Sequence, residues 1–347
     1  MKKSLRIANL IDIPWFSGLT DYALNQADVL KETGHTVFFL APKESKAFQI
    51  AEQKGYKTFP ISDRKKILTP FEIFKIIKFI KNEKIDILNA HTGRMQTLSY
   101  IISLFEKNLK LVRTKSDAKE IKKSFTYSKI SAVITGSKYI EKMYKEKKIS
   151  AKIKTIYKSV PAADTYPIDK NPPFKIGIVG RLDPVKGHIW FIKSAIEILN
   201  GGFNCKFLIS GIESQIKWPQ LSSEIPLKYR DRFEYRGFSK NIDDFMRECH
   251  LGVITSTHSE AVSRAAVEWM KNARALISTE VGSLPEFVDK NFLTRTNEYK
   301  DLSEKIISIL DFERLEKIGL ENFEKLKSNF SYEKFKKETV DIFESLV

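Results

Sequence analysis

Short apolar runs alternate along this chain with longer stretches whose apolar residues recur every three or four positions. Residues 7–13, 36–41, 85–90, 111–114 and 132–135 read as buried strands, and segments such as 21–33 and 70–83 read as helices between them. Alternation of this kind predicts βαβ units and a parallel sheet. A turn-rich stretch, 161–173, then carries four prolines and reads as a linker. Beyond it the pattern restarts, with strands near 175–179, 205–210, 233–235, 251–256 and 275–279. The expected fold class is therefore α/β, with two doubly wound Rossmann-like domains, 1–165 and 170–330, facing across a cleft. Ligands in such sheets lie outside the carboxyl ends of the strands. The closing segment, 331–347, is amphipathic, with Phe335, Val340, Ile342 and Phe343 as anchors. No short-period repeat or low-complexity tract is present.

At 347 residues and 42% hydrophobic, the chain can build two real cores. Its apolar runs are strand-length, too short to span a bilayer. The start, Met1-Lys2-Lys3-Ser4-Leu5-Arg6, opens like a signal peptide, but Arg6 and Asp12 break the apolar run and no small-residue cleavage site follows. It reads as the approach to a first buried strand. Cys205 and Cys249 form no Cys-x-x-Cys pair, which argues against a disulfide framework or zinc site and fits a reducing cytoplasm.

The net charge of +16 is unevenly placed. Residues 1–160 hold 32 Lys and Arg against 15 Asp and Glu, whereas 161–347 hold 27 against 28. A basic half can meet an anionic surface, since each basic residue near anionic lipid contributes about 1 kcal/mol. A solvated, Lys-rich surface explains the same numbers equally well. Nucleic acid is not expected, because the basic residues are dispersed and neither an RNP-like aromatic motif nor zinc-finger spacing occurs. The segment 70–81 reads as a core helix with a solvated Lys face in preference to a helix lying in a membrane interface.

Two segments carry candidate chemistry. In the first, strand 175–179 runs into Gly180-Arg181-Leu182-Asp183-Pro184-Val185-Lys186-Gly187. Gly180 permits close approach of a ligand, while Arg181 offers a planar fork and Lys186 a mobile point charge to phosphate oxygens. It is neither a P-loop nor a Gly-x-Gly-x-x-Gly fingerprint. In the second, strand 251–256 leads into Ser259-Glu260-Ala261-Val262-Ser263, with a helix expected to begin near Val262-Ser263. The free amides of such a helix start suit a phosphate. Glu260 and Glu268 lie a little over two helical turns apart and can accept hydrogen bonds from sugar or ribose hydroxyls. The two stretches are expected to converge on one pyrophosphoryl group. Asp243-Asp244 is not an Asp-x-Asp metal motif and reads as helix capping.

Gly-Arg-Leu-x-x-x-Lys-Gly followed by Glu-(seven residues)-Glu resembles the retaining glycosyltransferases of family four, which have the GT-B fold. Further likenesses are the Ser17-Gly18 loop, Gly34-His35-x-Val37, Asp86-Ile87-Leu88-Asn89-Ala90-His91, Val133-Ile134-Thr135-Gly136-Ser137, Gly237-Phe238 and Gly282-Ser283-Leu284-Pro285-Glu286. The resemblance implies a metal-independent, hexosyltransferase-type enzyme. It would move sugar from a nucleotide-diphosphate sugar to a glycan or lipid-linked acceptor, in lipopolysaccharide or other envelope polysaccharide synthesis. The expected location is cytoplasmic, with peripheral attachment to an anionic inner membrane face. No cofactor beyond the nucleotide-sugar co-substrate is implied. Arg181 and Lys186 would hold the diphosphate, Glu260 and the Val262-Ser263 amides the sugar or phosphate, and Glu268 the ribose. Gly18 and Gly180 would give the diphosphate room, Gly211 and Gly237 would shape the base pocket, and His91 would touch the sugar near its anomeric carbon. In that family the last helix packs back on the first domain. The chain departs from the family at Ser17, at Ala261-Val262-Ser263 where Gly-(aromatic)-Gly is common, and at Asn89 where a His is common. Alternatives are another GT-B enzyme, an epimerase or phosphorylase, or a non-catalytic module binding anions or membranes.

Overall fold

The computed structural model describes residues 4–160, 165–258 and 260–347, so most of the turn at 161–167 and Ser259 lie outside the described residues. The chain divides into two compact units, Met1–Ser159 with Tyr332–Val347, and Val160–Ser331.

The first unit is a seven-stranded parallel sheet. Its strands are β1 (Arg6–Leu10), β2 (Thr36–Ala41), β3 (Lys57–Pro60), β4 (Ile87–Ala90), β5 (Lys110–Lys115), β6 (Ile130–Thr135) and β7 (Lys152–Thr155), in the order β3-β2-β1-β4-β5-β6-β7. The inner strands are near-continuous buried apolar runs because helices cover both faces. Five helices follow strands: α1 (Gly18–Glu32), α2 (Lys46–Gln53), α3 (Pro70–Asn82), α4 (Gly93–Phe105) and α5 (Lys138–Glu146). Each starts at a Ser or Thr whose hydroxyl accepts the amide three residues on: Ser17, Ser45, Thr69, Thr92 and Ser137. Such caps satisfy a backbone donor that the helix itself cannot.

The second unit is a six-stranded parallel sheet. Its strands are β8 (Phe174–Val179), β9 (Cys205–Ser210), β10 (Phe233–Tyr235), β11 (Leu251–Ile254), β12 (Ala275–Thr279) and β13 (Leu293–Thr294), in the order β10-β9-β8-β11-β12-β13. Around it run α6 (His188–Asn200), α7 (Trp218–Ser222), α8 (Ile242–Glu248), α9 (Arg264–Lys271), α10 (Leu284–Phe287), α11 (Tyr299–Ile307) and α12 (Phe312–Asn329). Gly177 and Gly252 face each other across β8 and β11, and a Cβ on Gly252 would stand 2.3 Å from the Trp269 ring. The glycines make the flat seat that lets Trp269 of α9 bury completely.

The last helix, α13 (Tyr332–Glu344), belongs to the first unit, where Phe335, Ile342 and Phe343 join the core and Val340 packs beside it. Phe335 meets Tyr22 of α1 edge to face at 5.8 Å.

Three expectations need correction. The first strand ends at Leu10, and Ile11–Ile13 continue as a buried loop. Strands β3, β7 and β13 lacked a signal, being short, and the outer β3 and β7 half exposed with polar residues interleaved. Asp243 and Asp244 lie inside the first turn of α8, behind Asn241 at the cap. Asp243 instead pairs with Lys271 at 2.7 Å and accepts from Asn272 at 2.8 Å. Among the described residues no helix is long and apolar enough to cross a membrane.

Candidate active site

In the second unit β8 and β11 are neighbours, and the chain reverses its order between them. The loops leaving their carboxyl ends must therefore emerge side by side, at the switch point where α/β sheets open a crevice. They are fastened together: Thr255 Oγ1 donates to the Lys186 carbonyl at 2.9 Å, and the Thr257 amide donates to the Val185 carbonyl at 2.9 Å. Gly187 sits at the join with φ +66°, and a Cβ there would lie 2.1 Å from the Thr255 carbonyl oxygen, so a side chain is excluded.

This junction brings two expected residues into contact. Lys186 Nζ donates to Glu260 Oε1 in an ion pair, and Ser256 Oγ donates to the same oxygen at 2.6 Å. Glu260 is buried, and Oε2 keeps no protein partner among the described residues. One oxygen anchors the carboxylate; the other can accept from a ligand hydroxyl. The Glu260 carbonyl receives the Ser283 amide at 2.8 Å, which fixes the loop from its far side. Lys186 Cγ would lie 3.5 Å from a Cβ on Gly180, so its stem lies along that residue. Arg181, next in the chain, is exposed and has no ion pair among the described residues. His188 is buried beside Gly180, and burial first, then the charge of Lys186, pushes its imidazole down to about 4.

The helix start is at Ser263, which caps α9 by accepting the Ala266 amide at 3.3 Å. Val262 is half-buried before it. Glu268 is half-buried and pairs with exposed Arg264 at 2.8 Å, a surface pair that a ligand can replace at small cost. A Cβ on Gly211 would strike the Gly180 carbonyl, so that glycine keeps the loops after β8 and β9 in contact. Gly237 has φ +60° with open space around it, and its carbonyl accepts the Gly211 amide at 2.8 Å.

The remaining two lie in the first unit. Gly18 lines a cavity of about 840 Å³ at the carboxyl ends of β1, β4 and β5, and a Cβ on it would meet nothing within 4 Å. His91 does not line that cavity. It is fully buried in a polar cluster, with Nε2 3.0 Å from Asn9 Oδ1. Asn89 Nδ2 donates to Asn9 Oδ1 at 2.9 Å and to Gln26 Oε1 at 2.7 Å. Burial, then the charge of Arg113, lowers the His91 pKa to about 3. His91 thus holds the strand ends through Nε2, while its Nδ1 is buried without a hydrogen-bond partner among the described residues. Ser256, Thr255 and Gly187 were not singled out in the sequence. Only Gly187, closing a Lys-Gly pair after a strand, left any local signal.

A family model described as "Glycosyltransferase Family 4" matches residues 16–164, and one described as "Glycosyl transferases group 1" matches 173–311. An uncharacterized glycosyltransferase of Methanocaldococcus jannaschii is 29% identical over 289 residues, 77% of each chain. Among solved structures, a glycosyltransferase from Rickettsia africae superposes with a TM-score of 0.81 at 17% identity, covering 99% of this chain and 98% of that one. HepE of Anabaena, in complex with UDP, superposes at 0.78 with 17% identity, covering 99% and 100%. The lipopolysaccharide outer core galactosyltransferase WaaB superposes at 0.76 with 15% identity, covering 97% and 99%. With its two Rossmann-like units and these matches along most of its length, the chain is a GT-B glycosyltransferase belonging to family 4.

Proposed function

We propose that this transferase moves a sugar from a nucleotide-diphosphate sugar to a glycan or lipid-linked acceptor with retention of anomeric configuration and without a metal ion. The observation that carries the reading is the Lys186–Glu260 pair at the switch point of the second sheet, with Glu260 Oε2 open and Arg181, exposed in the same loop as Lys186, in no ion pair among the described residues. Lys186, Arg181 and the first turn of α9 supply positive charge for a departing diphosphate, and Glu260 grips the donor sugar. Relatives of this fold that were solved with UDP and UDP-glucose support a nucleoside diphosphate donor. The likeness to a lipopolysaccharide galactosyltransferase supports a role in envelope polysaccharide synthesis. A membrane-surface acceptor is favoured by Phe71 and Phe74 of α3, 66% and 63% exposed among lysines.

The test is turnover by Glu260→Ala and Lys186→Ala with the purified chain, with chelator present and absent. Each variant is expected to lose about a hundredfold or more in kcat/KM, the scale of one preorganised donor. Chelator should leave the wild type unchanged, and the product should keep the donor's anomeric configuration. Undiminished transfer by both variants would refute the assignment.

A further inference from the structure

The cavity of the first unit has a charge that its own walls do not balance. Six cations line it, Arg64, Arg94, Arg113, Lys115, Lys119 and Lys122, against three acids, Asp12, Asp117 and Glu120. The acids are already engaged: Asp12 with Arg94 at 3.5 Å, Asp117 with Lys115 at 2.6 Å, and Glu120 with Lys147 at 3.3 Å. Arg113 has no ion pair among the described residues, yet it is only 4% exposed.

Arg113 stands near the end of β5, level with Ala90 on β4. Its Nη1 donates to the Ala90 carbonyl at 3.0 Å and to the Thr114 carbonyl, which fix the guanidinium without neutralising it. The one nearby carboxylate among the described residues, Asp117, has its pKa lowered, against its burial, by both Lys115 and Arg113 but pairs with Lys115. Two buried cations thus share one counter-charge, a costly arrangement unless an anion completes the site. Lys115 beside it is equally buried, and burial holds its pKa below the ordinary lysine value despite Asp117. The first turns of α1 and α4 open onto the same cavity through Gly18, Leu19, Gly93 and Arg94, adding amides that have no acceptor within their helices. Trp15, half exposed, forms part of the wall, an apolar ring face of the kind a pyranose can lie against.

We infer that this cavity is the acceptor subsite and that the acceptor carries a phosphate or carboxylate seated on Arg113, with its sugar against Trp15. The inference rests on the transferase reading and narrows it to an anionic acceptor class.

The experiment is calorimetric titration of the full chain with glucose 6-phosphate, glucuronate and glucose, repeated on Arg113→Met, on the double variant Lys119→Ala/Lys122→Ala, and on Lys186→Ala. Glucose 6-phosphate or glucuronate should bind at least about tenfold tighter than glucose, and which of the two does so separates phosphate from carboxylate. Arg113→Met should weaken that binding by about tenfold or more, the exposed double variant by about threefold, and Lys186→Ala by nothing. Equal binding of glucose and the anions would overturn the inference. So would loss of anion binding in Lys186→Ala with retention in Arg113→Met. Should Arg113→Met fail to fold, an unaffected double variant overturns it alone. The turnover assay on Glu260→Ala and Lys186→Ala is separate, so an anion site without those losses would sink the donor assignment and leave this one standing.

Discussion

Glu260 shows how far single residues can be read. The sequence placed an acid and a lysine on loops after two strands, and those loops meet because β8 and β11 are adjacent. Ser256, which shares the anchoring, was illegible because its partner is four residues ahead in a loop whose path depends on distant contacts. His91 was legible as a strand-end residue, but its sealed position was not, since Asn9 and Gln26 come from other elements. That burial makes a prediction about pH. In the folded chain His91 titrates near 3 and His188 near 4, against 6.5 when unfolded, so the unfolded chain takes up protons first. Stability should be complete above about pH 6.5 and fall below it, by about 1.4 kcal/mol per pH unit for each histidine. Urea unfolding between pH 7 and 5 checks this. His91→Gln should flatten the slope by one proton, and an unchanged slope would contradict the burial.

At the scale of elements, strands buried on both faces announced themselves, whereas β3 and β7 did not, because a half-exposed outer strand carries no continuous apolar run. Segment 70–81 was read as a core helix, and this is only half right. Ile76 and Ile80 are buried and Phe79 packs on Phe59 at 4.6 Å, but Phe71 and Phe74 face outward, with Lys75 Nζ 4.4 Å from the Phe71 ring. Ile67 just before the helix is 88% exposed. Periodicity alone cannot distinguish an apolar face that finds a neighbour from one that does not. Sedimentation with vesicles tests what this face does. The chain is expected to pellet with phosphatidylcholine vesicles containing phosphatidylglycerol and not with phosphatidylcholine alone. Phe71→Ser/Phe74→Ser should weaken this by about tenfold or more, given the apolar area removed. Indifference to both vesicles would end the membrane reading.

For the molecule as a whole, two α/β halves were visible because the strand–helix alternation stops at a proline-rich stretch and restarts. The return of α13 to the first unit was expected from the family resemblance and is observed, although its own amphipathic pattern specifies no destination. Charge asymmetry pointed to the basic half, but the cavity that concentrates it was hidden: 111–114 read only as a buried strand, with no sign that Arg113 within it lines a cavity. The proposed division of labour, with donor groups in the second unit and a cation-lined cavity in the first, places each at the carboxyl ends of its own sheet. Amide hydrogen exchange of the whole chain, with and without a panel of UDP-, GDP- and ADP-sugars, tests the donor half most directly. One donor should slow exchange at 180–187 and 260–267. Slowing confined to the first unit, or none with any donor, would contradict the account.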